Sequence, residues 1–250
     1  MISKNEIKYY TSLLQKKFRQ QGKKFIVEGH KLISEGIENG IKPEIILTTV
    51  PVYESQPSFF KTLKEFRVET ITAPEYKKLT DTKNPQDVIA VFPFKDNKFS
   101  SAKINSKVVV YLDNISDPGN VGTIIRNCDW FGITDILLSE GSVELHNPKV
   151  IRASVGSVFH LNIYEDINSD SLKELKDKDY KLICSDIEGE DIFNFDLSEK
   201  SILTFSNEAG GPNEKILELS DKVITIRKKG KAESLNVASA SAVILATLLR

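Results

Sequence analysis

Apolar positions along the chain alternate between two spacings. Ile7, Tyr10, Leu14 and Phe18 recur at helical spacing and predict an opening helix. "FIVEG" (25–29) then reads as a strand, "HKLISEGIENG" (30–40) as a helix closed by Asn39-Gly40, and "EIILTT" (44–49) as a second strand. "FRVETI" (66–71) and "DVIAVF" (87–92) read as two more strands, with a short helix around "PEYKKL" (74–79). Further on, strand-like runs recur at 107–112, 135–139, 158–164, 180–184, 201–205 and 222–226. Helical patterns lie between most of them, and 234–249 is strongly helical. Strands alternating with helices predict an α/β fold whose C-terminal part is a mainly parallel, doubly wound sheet, preceded by a small α/β unit.

"PFKDNKFSSAKINS" (93–106) has Pro, Asn, Ser and alternating charge without a sustained hydrophobic period, which suits a linker. The expected organisation is an N-terminal domain over 1–93, a linker over 94–106 and a larger domain over 107–250. At 250 residues, 40% hydrophobic and 28% charged, the chain has the composition of an ordinary globular protein. No apolar stretch approaches the roughly 18–20 residues that a membrane span needs, and the N-terminus lacks a signal-peptide pattern. Cys128 and Cys184 are far apart, and neither C-x-x-C nor a His/Cys cluster occurs, so neither a zinc site nor a disulfide framework is expected. These features read as a cytoplasmic protein without a metal.

Charge changes the picture at the N-terminus. Residues 1–100 hold 17 Lys+Arg against 12 Asp+Glu, and the remaining 150 hold 17 against 23, so +5 and −6 sum to the net −1. Lys16, Lys17, Arg19, Lys23 and Lys24 fall in the most basic stretch. They read either as a solvated helix face or as an arm that contacts nucleic-acid phosphates.

Three stretches of the C-terminal domain are polar where a βα loop could be bland. They are "DNISDPGNVGTIIRN" (113–127), "LTFSNEAGGPNEKI" (203–216) and "ITIRKKGKAESLNVASASAVILATLL" (224–249). Loops at strand C-termini are where open α/β sheets hold ligands. Neither G-x-G-x-x-G nor G-x-x-x-x-G-K-[ST] is present, and the Asn, Ser, Gly, Glu and Arg on offer suit a polar small molecule better than a metal.

The order N-x-x-D-P-x-N-x-G-x-x-x-R, then N-E-x-x-G, then G-x-x-x-S-L-N resembles the SpoU, or TrmH-type, RNA 2′-O-ribose methyltransferases. The matching residues are Asn114, Asp117, Pro118, Asn120, Gly122 and Arg126; Asn207, Glu208 and Gly211; and Gly230, Ser234, Leu235 and Asn236. "KKFIVEGHKLISEGI" (23–37) resembles the family's N-terminal substrate-binding domain, so the resemblance covers nearly the whole chain. Ser206 stands where the family usually has glycine, Arg227 and Lys228 replace a common Pro-Met, and Asp87 replaces a frequent glycine.

The resemblance implies a trefoil knot, S-adenosylmethionine as cofactor, structured RNA (ribosomal or transfer) as substrate, and a homodimer with composite sites. It assigns the cofactor to Thr204, Phe205, Ser206, Asn207, Gly211, Ile226 and Leu235. Catalysis falls to Arg126, Asn120, Glu208, Ser234 and Asn236, and Arg227, Lys228, Lys229 and Lys231 face the RNA. An arginine of pKa above ~12 is a poor proton acceptor, so Arg126 is expected to stabilise the forming alkoxide or orient a phosphate, held by Glu208. The blander alternatives are that Asp117 and Asn120 only cap a helix, that Asn236 does the same, and that the three histidines and Cys128 are structural. A non-catalytic RNA-binding protein of the same fold and a nucleotide-dependent oxidoreductase are the rival functions. Intact Arg126, Glu208 and Asn236 count against the first, and the missing glycine fingerprint against the second.

Overall fold

The structure, a computed structural model, describes residues 2–95, 97–197, 199–207 and 210–249. Two compact units divide the chain: Met1–Asp96 with His146–Phe159, and Asn97–Leu145 with His160–Arg250. The first unit opens with helices α1 (Lys4–Ser12) and α2 (Lys16–Gly22). Strand β1 (Lys24–Glu28), α3 (His30–Glu38), β2 (Ile45–Thr49), α4 (Val50–Ser55) and α5 (Pro57–Thr62) follow. Then come β3 (Val68–Ile71), α6 (Ala73–Tyr76) and β4 (Val88–Pro93). The second unit begins with β5 (Val108–Asp113), α7 (Pro118–Trp130) and β6 (Asp135–Ser139). Helix α8 (Pro148–Ser154) belongs to the first unit. The second unit continues with β7 (Asn162–Ile167), α9 (Ser169–Lys176) and β8 (Lys181–Asp191). It ends with β9 (Ser201–Ser206), α10 (Glu214–Leu219), β10 (Lys222–Thr225) and α11 (Val237–Leu248).

The opening helix expected from one apolar period is two helices. A Ser3–Glu6 capping box starts α1. The break after Ser12 frees the Leu13 carbonyl, and the Arg19 guanidinium donates to it at 2.7 Å. Arg19 is consequently only 2% exposed, which removes it from the RNA-facing cations. Lys16, Lys17 and Lys23 are exposed, whereas Lys24 is half-buried and ion-paired with Glu44. Helices α4 and α5 have no counterpart in the sequence reading because Pro51 and Pro57, which look like breakers, occupy the first turns where proline is tolerated.

The first unit's sheet runs β1-β4-β2-β3, with β4 antiparallel to both neighbours and β2 parallel to β3. Ile26, Ile45, Leu47, Ile89 and Val91 from its strands join Ile7, Tyr10 and Leu13 in one core. His146 is buried in this unit, stacked on Phe94 with ring centres 3.7 Å apart, and burial pushes its pKa down to about 3.

The second unit is a six-stranded parallel sheet, ordered β10-β8-β9-β5-β6-β7. Its core gathers Val109, Tyr111, Leu137, Leu182 and Ile202. The run expected as a strand over 158–164 divides: Ser157–Phe159 is a 3₁₀ turn and the strand spans Asn162–Ile167. Val158, Phe159 and Leu161 are apolar because they are buried at the turn. Strand β8 outlasts its apolar run and continues through the polar residues to Asp191.

Candidate active site

The chain leaves β5 to one side of the sheet, through β6 and β7, and returns on the other through β8, β9 and β10. The order therefore reverses between β5 and β9, and ligands bind outside the strand C-termini at such a point. The two strands end level there, with Asp113 beside Ser206. The first polar stretch follows β5, the second follows β9, and the third follows β10.

Local chemistry shapes the first stretch. The Asp117 carboxylate caps α7 by accepting from the Asn120 backbone N–H at 2.9 Å, and Pro118 fills the first turn. Asn114 takes a left-handed backbone (φ 53°), its N–H donating to Ser139 Oγ at 2.8 Å. Asn236 caps α11 by accepting from the N–H groups of Ala238 and Ser239 at 3.0 and 3.3 Å. Its amide nitrogen donates to Asn120 Oδ1 at 3.0 Å, across 116 residues of chain. Asn127 donates to the Ala238 carbonyl at 3.0 Å and Ser241 Oγ at 2.9 Å, so α7 and α11 pack through small residues. Capping and the meeting of the two motifs thus coexist in the same side chains.

Arg126 is exposed on α7, the helix that carries Asn120. Glu208, its expected partner, lies outside the described residues.

A cavity of about 500 Å³ opens between the second and third stretches. Of the residues assigned to the cofactor, Ser206, Asn207, Gly211, Ile226 and Leu235 line it, together with Ser234. Thr204 and Phe205 do not; both are buried in β9, and the Thr204 carbonyl accepts from Ser185 Oγ at 2.8 Å. Arg227, Lys228 and Lys229, assigned to RNA, form part of the wall, whereas Lys231 is exposed and does not line it. Arg227 also pairs with Asp191 at 3.1 Å.

Sequence reasoning missed the opposite wall, Ser185, Asp186, Ile187 and Glu188 of β8. Gly189 was the available signal, since glycine inside a strand marks close backbone approach. A Cβ there would sit 2.7 Å from the Val223 carbonyl oxygen. The β8–β10 ladder shifts register at that point, between Val223 and Ile224. Among the described residues, no group of three or more His, Cys, Asp or Glu side chains could hold a metal. No helix among them is long and apolar enough to cross a membrane.

The SpoU rRNA methylase family matches residues 107–246, more than half of the chain. The chain belongs to this family. An MRM3-like substrate binding domain matches residues 4–90, ahead of the SpoU region. The 23S rRNA (guanosine(2553)-2′-O)-methyltransferase RlmP of Bacillus subtilis is 30% identical over 247 residues, covering 97% of this chain and 96% of that one. A putative RNA methyltransferase of the TrmH family from Porphyromonas gingivalis superposes with a TM-score of 0.86 at 27% identity, covering 99% of this chain and 98% of that one. The SpoU methyltransferase AviRb from Streptomyces viridochromogenes, in complex with AdoMet, shares the fold, with a TM-score of 0.89 at 24% identity over 99% and 97% of the two chains. The SpoU assignment made from the three motifs and these matches agree.

Proposed function

We propose that this SpoU methylase transfers a methyl group from S-adenosylmethionine to a ribose 2′-hydroxyl of structured RNA, with ribosomal RNA ahead of transfer RNA. The observation that carries the reading is the Asn236–Asn120 hydrogen bond, which joins the first and third motifs beside a cavity walled by the second and third. RlmP and its named reaction support the 2′-hydroxyl and the ribosomal substrate.

The cavity fits the cofactor. Its volume lies in the range of small-molecule sites. Ser206 Oγ is buried on its wall without a hydrogen-bond partner, a polar atom that a polar ligand would satisfy. Ile187 and Leu235 are 70% and 51% exposed there, apolar surface that a flat ring system would cover. Ser206, Asn207, Gly211, Ile226 and Leu235 would hold S-adenosylmethionine, with Asp186 and Glu188 offering acceptors to hydroxyl or ammonium groups. When bound, it supplies an electrophilic methyl group on a positively charged sulfur.

The protein's own part is positioning and charge. Arg126 is permanently cationic, so it stabilises negative charge on the ribose oxygen or orients a neighbouring phosphate and does not take the hydroxyl proton, which passes to water or a phosphate oxygen. Asn120, Asn236 and Ser234 orient the ribose and the loops. Lys16, Lys17 and Lys23, all exposed, contact RNA phosphates.

The expected trefoil knot is consistent with the strand order β10-β8-β9-β5-β6-β7 and with the family. The homodimer also stays part of this reading. Ala238 and Ser241 of α11 are taken up by α7, which leaves Ser239, Val243 and Ala246 as an exposed stripe for a second copy. Residues 97–106 of the expected 94–106 linker group with the second unit, whose core takes in Ile104, and a cytoplasmic setting completes the proposal.

The test is transfer of labelled methyl from S-adenosylmethionine to ribosomal RNA, followed by mapping of positions resistant to alkaline cleavage. A single alkali-resistant ribose, missing from cells that lack the gene, is the expected result. Label on a base, or none on any RNA, would overturn it.

A further inference from the structure

Asp113 is the last residue of β5 and only 1% exposed. The polar stretch 113–127 opens on it, one residue before the N-x-x-D-P motif begins. Its carboxylate accepts from the Asn213 amide nitrogen at 3.1 Å on both oxygens, from the Asn213 backbone N–H at 3.4 Å, and from the Asn114 amide nitrogen at 3.1 Å. Among the described residues, no Lys, Arg or His forms an ion pair with it. A buried carboxylate without a cation is costly unless hydrogen bonds satisfy it, and here amides alone do so.

Those amides belong to the two loops that meet at the strand ends. Asn114 opens the stretch that leads to Asn120 and Arg126. Asn213 closes the stretch that carries Asn207, Gly211 and Pro212 along the cavity wall. The same loop leaves β9 at Ser206, the residue paired with Asp113 across the two strands. Asp113 therefore meets this loop at both ends. Asn213 is in turn immobilised by its other amide atom, since Oδ1 accepts from the Ile216 N–H at 3.0 Å and caps α10. The loop between turns at Gly211, which has a left-handed backbone (φ 61°).

We propose that Asp113 is a positioning residue that ties Asn213, and with it the Gly211–Pro212 part of the cofactor wall, to the end of β5 and so sets that wall against the Asn120–Arg126 segment. The proposal rests on the functional reading above. Asp113 touches neither cofactor nor RNA in it. Its effect passes through Asn213 and Asn114, which makes it separable from residues that bind directly.

Asp113→Asn keeps the volume but turns one acceptor into a donor that faces the Asn213 amide. Calorimetry with S-adenosylmethionine and steady-state transfer to RNA read the outcome. Cofactor affinity should fall by roughly 10- to 100-fold, the scale of one disrupted buried hydrogen-bond cluster, while the KM for RNA stays near the wild-type value. The exchanged pair Asp113→Asn with Asn213→Asp restores an amide–carboxylate contact and keeps a helix cap, so it should recover most of that loss. If Asp113→Asn does not fold, Asn213→Ser keeps a capping hydroxyl but loses the reach to Asp113, and the same loss of cofactor affinity is expected. Wild-type cofactor affinity in a folded Asp113→Asn or Asn213→Ser protein overturns the proposal. So does an exchanged pair no better than the single variants. A wild-type protein that neither binds S-adenosylmethionine nor methylates RNA defeats the functional reading instead.

Discussion

Glu28 and Asp113 use one device in two units. Each ends a β-strand, each is buried, and each accepts only from uncharged donors among the described residues. Glu28 receives Tyr76 Oη at 3.0 Å, Thr80 Oγ1 at 2.7 Å, Thr82 Oγ1 at 3.2 Å and the Gln86 N–H at 3.0 Å. All four donors lie in the segment from α6 to the start of β4, so this carboxylate holds the fold of the first unit together. The donors to Asp113 instead flank the loops of the candidate active site. A buried carboxylate thus serves stability in one unit and alignment in the other. Where its donors sit in the chain decides which.

The sharpest contrast to both comes from Arg126, which is exposed. Arg126→Ala should cut single-turnover methyl transfer by roughly 10²–10³-fold, the scale of losing one preorganised charge, with melting temperature and cofactor affinity unchanged. Arg126→Lys should recover only part, because it keeps the charge without the planar fork. Loss of cofactor binding as complete as loss of activity would refute the assigned role.

Glu28→Ala should reverse that signature. It strands four buried or half-buried donors and should cost about 2–3 kcal/mol of stability in a denaturant titration. Methyl transfer per folded molecule should hold, apart from weaker RNA binding. Unchanged stability with lost transfer would erase the distinction between the two carboxylates.

His146 extends the comparison to a buried base. Burial and the nearby Arg19 and Lys23 hold its pKa at about 3 against 6.5 for the free side chain. Between those values the unfolded chain binds a proton that the folded unit does not. Stability is therefore intact above pH 6.5 and declines toward pH 3, by up to about 1.4 kcal/mol per pH unit for this one group. His146→Phe, which can keep the stack on Phe94, should flatten the acid limb of melting temperature against pH. Some slope should persist, because burial lowers the His30 pKa as well. An unaltered acid limb would mean that another group sets it.

The smallest effect belongs to the exposed surface. Replacing Lys16, Lys17 and Lys23 together by serine should lower the salt dependence of RNA binding by roughly two to three in log–log slope. The methylated nucleotide should not change. A shifted position in the RNA would give these lysines a part in register as well as affinity.

The sequence carried much of this protein in its periodicities and turn residues. Strand and helix order, the three polar loops at strand ends, and the SpoU family were legible because local pattern and motif spacing determine them. So were the caps, since Asp117 before Pro118 and Asn236 before an Ala/Ser-rich run act on N–H groups within three residues. Tertiary structure alone decided the rest. Asn120 meets Asn236 over 116 residues, and Asp113 meets Asn213 over 100. Arg19 turns inward to a carbonyl freed by a helix break, and 146–159 joins the first unit across the 49 residues of 97–145. A hydrogen bond between distant residues depends on which strands become neighbours, and that order follows from burying all the apolar faces together, which no local window of the chain contains.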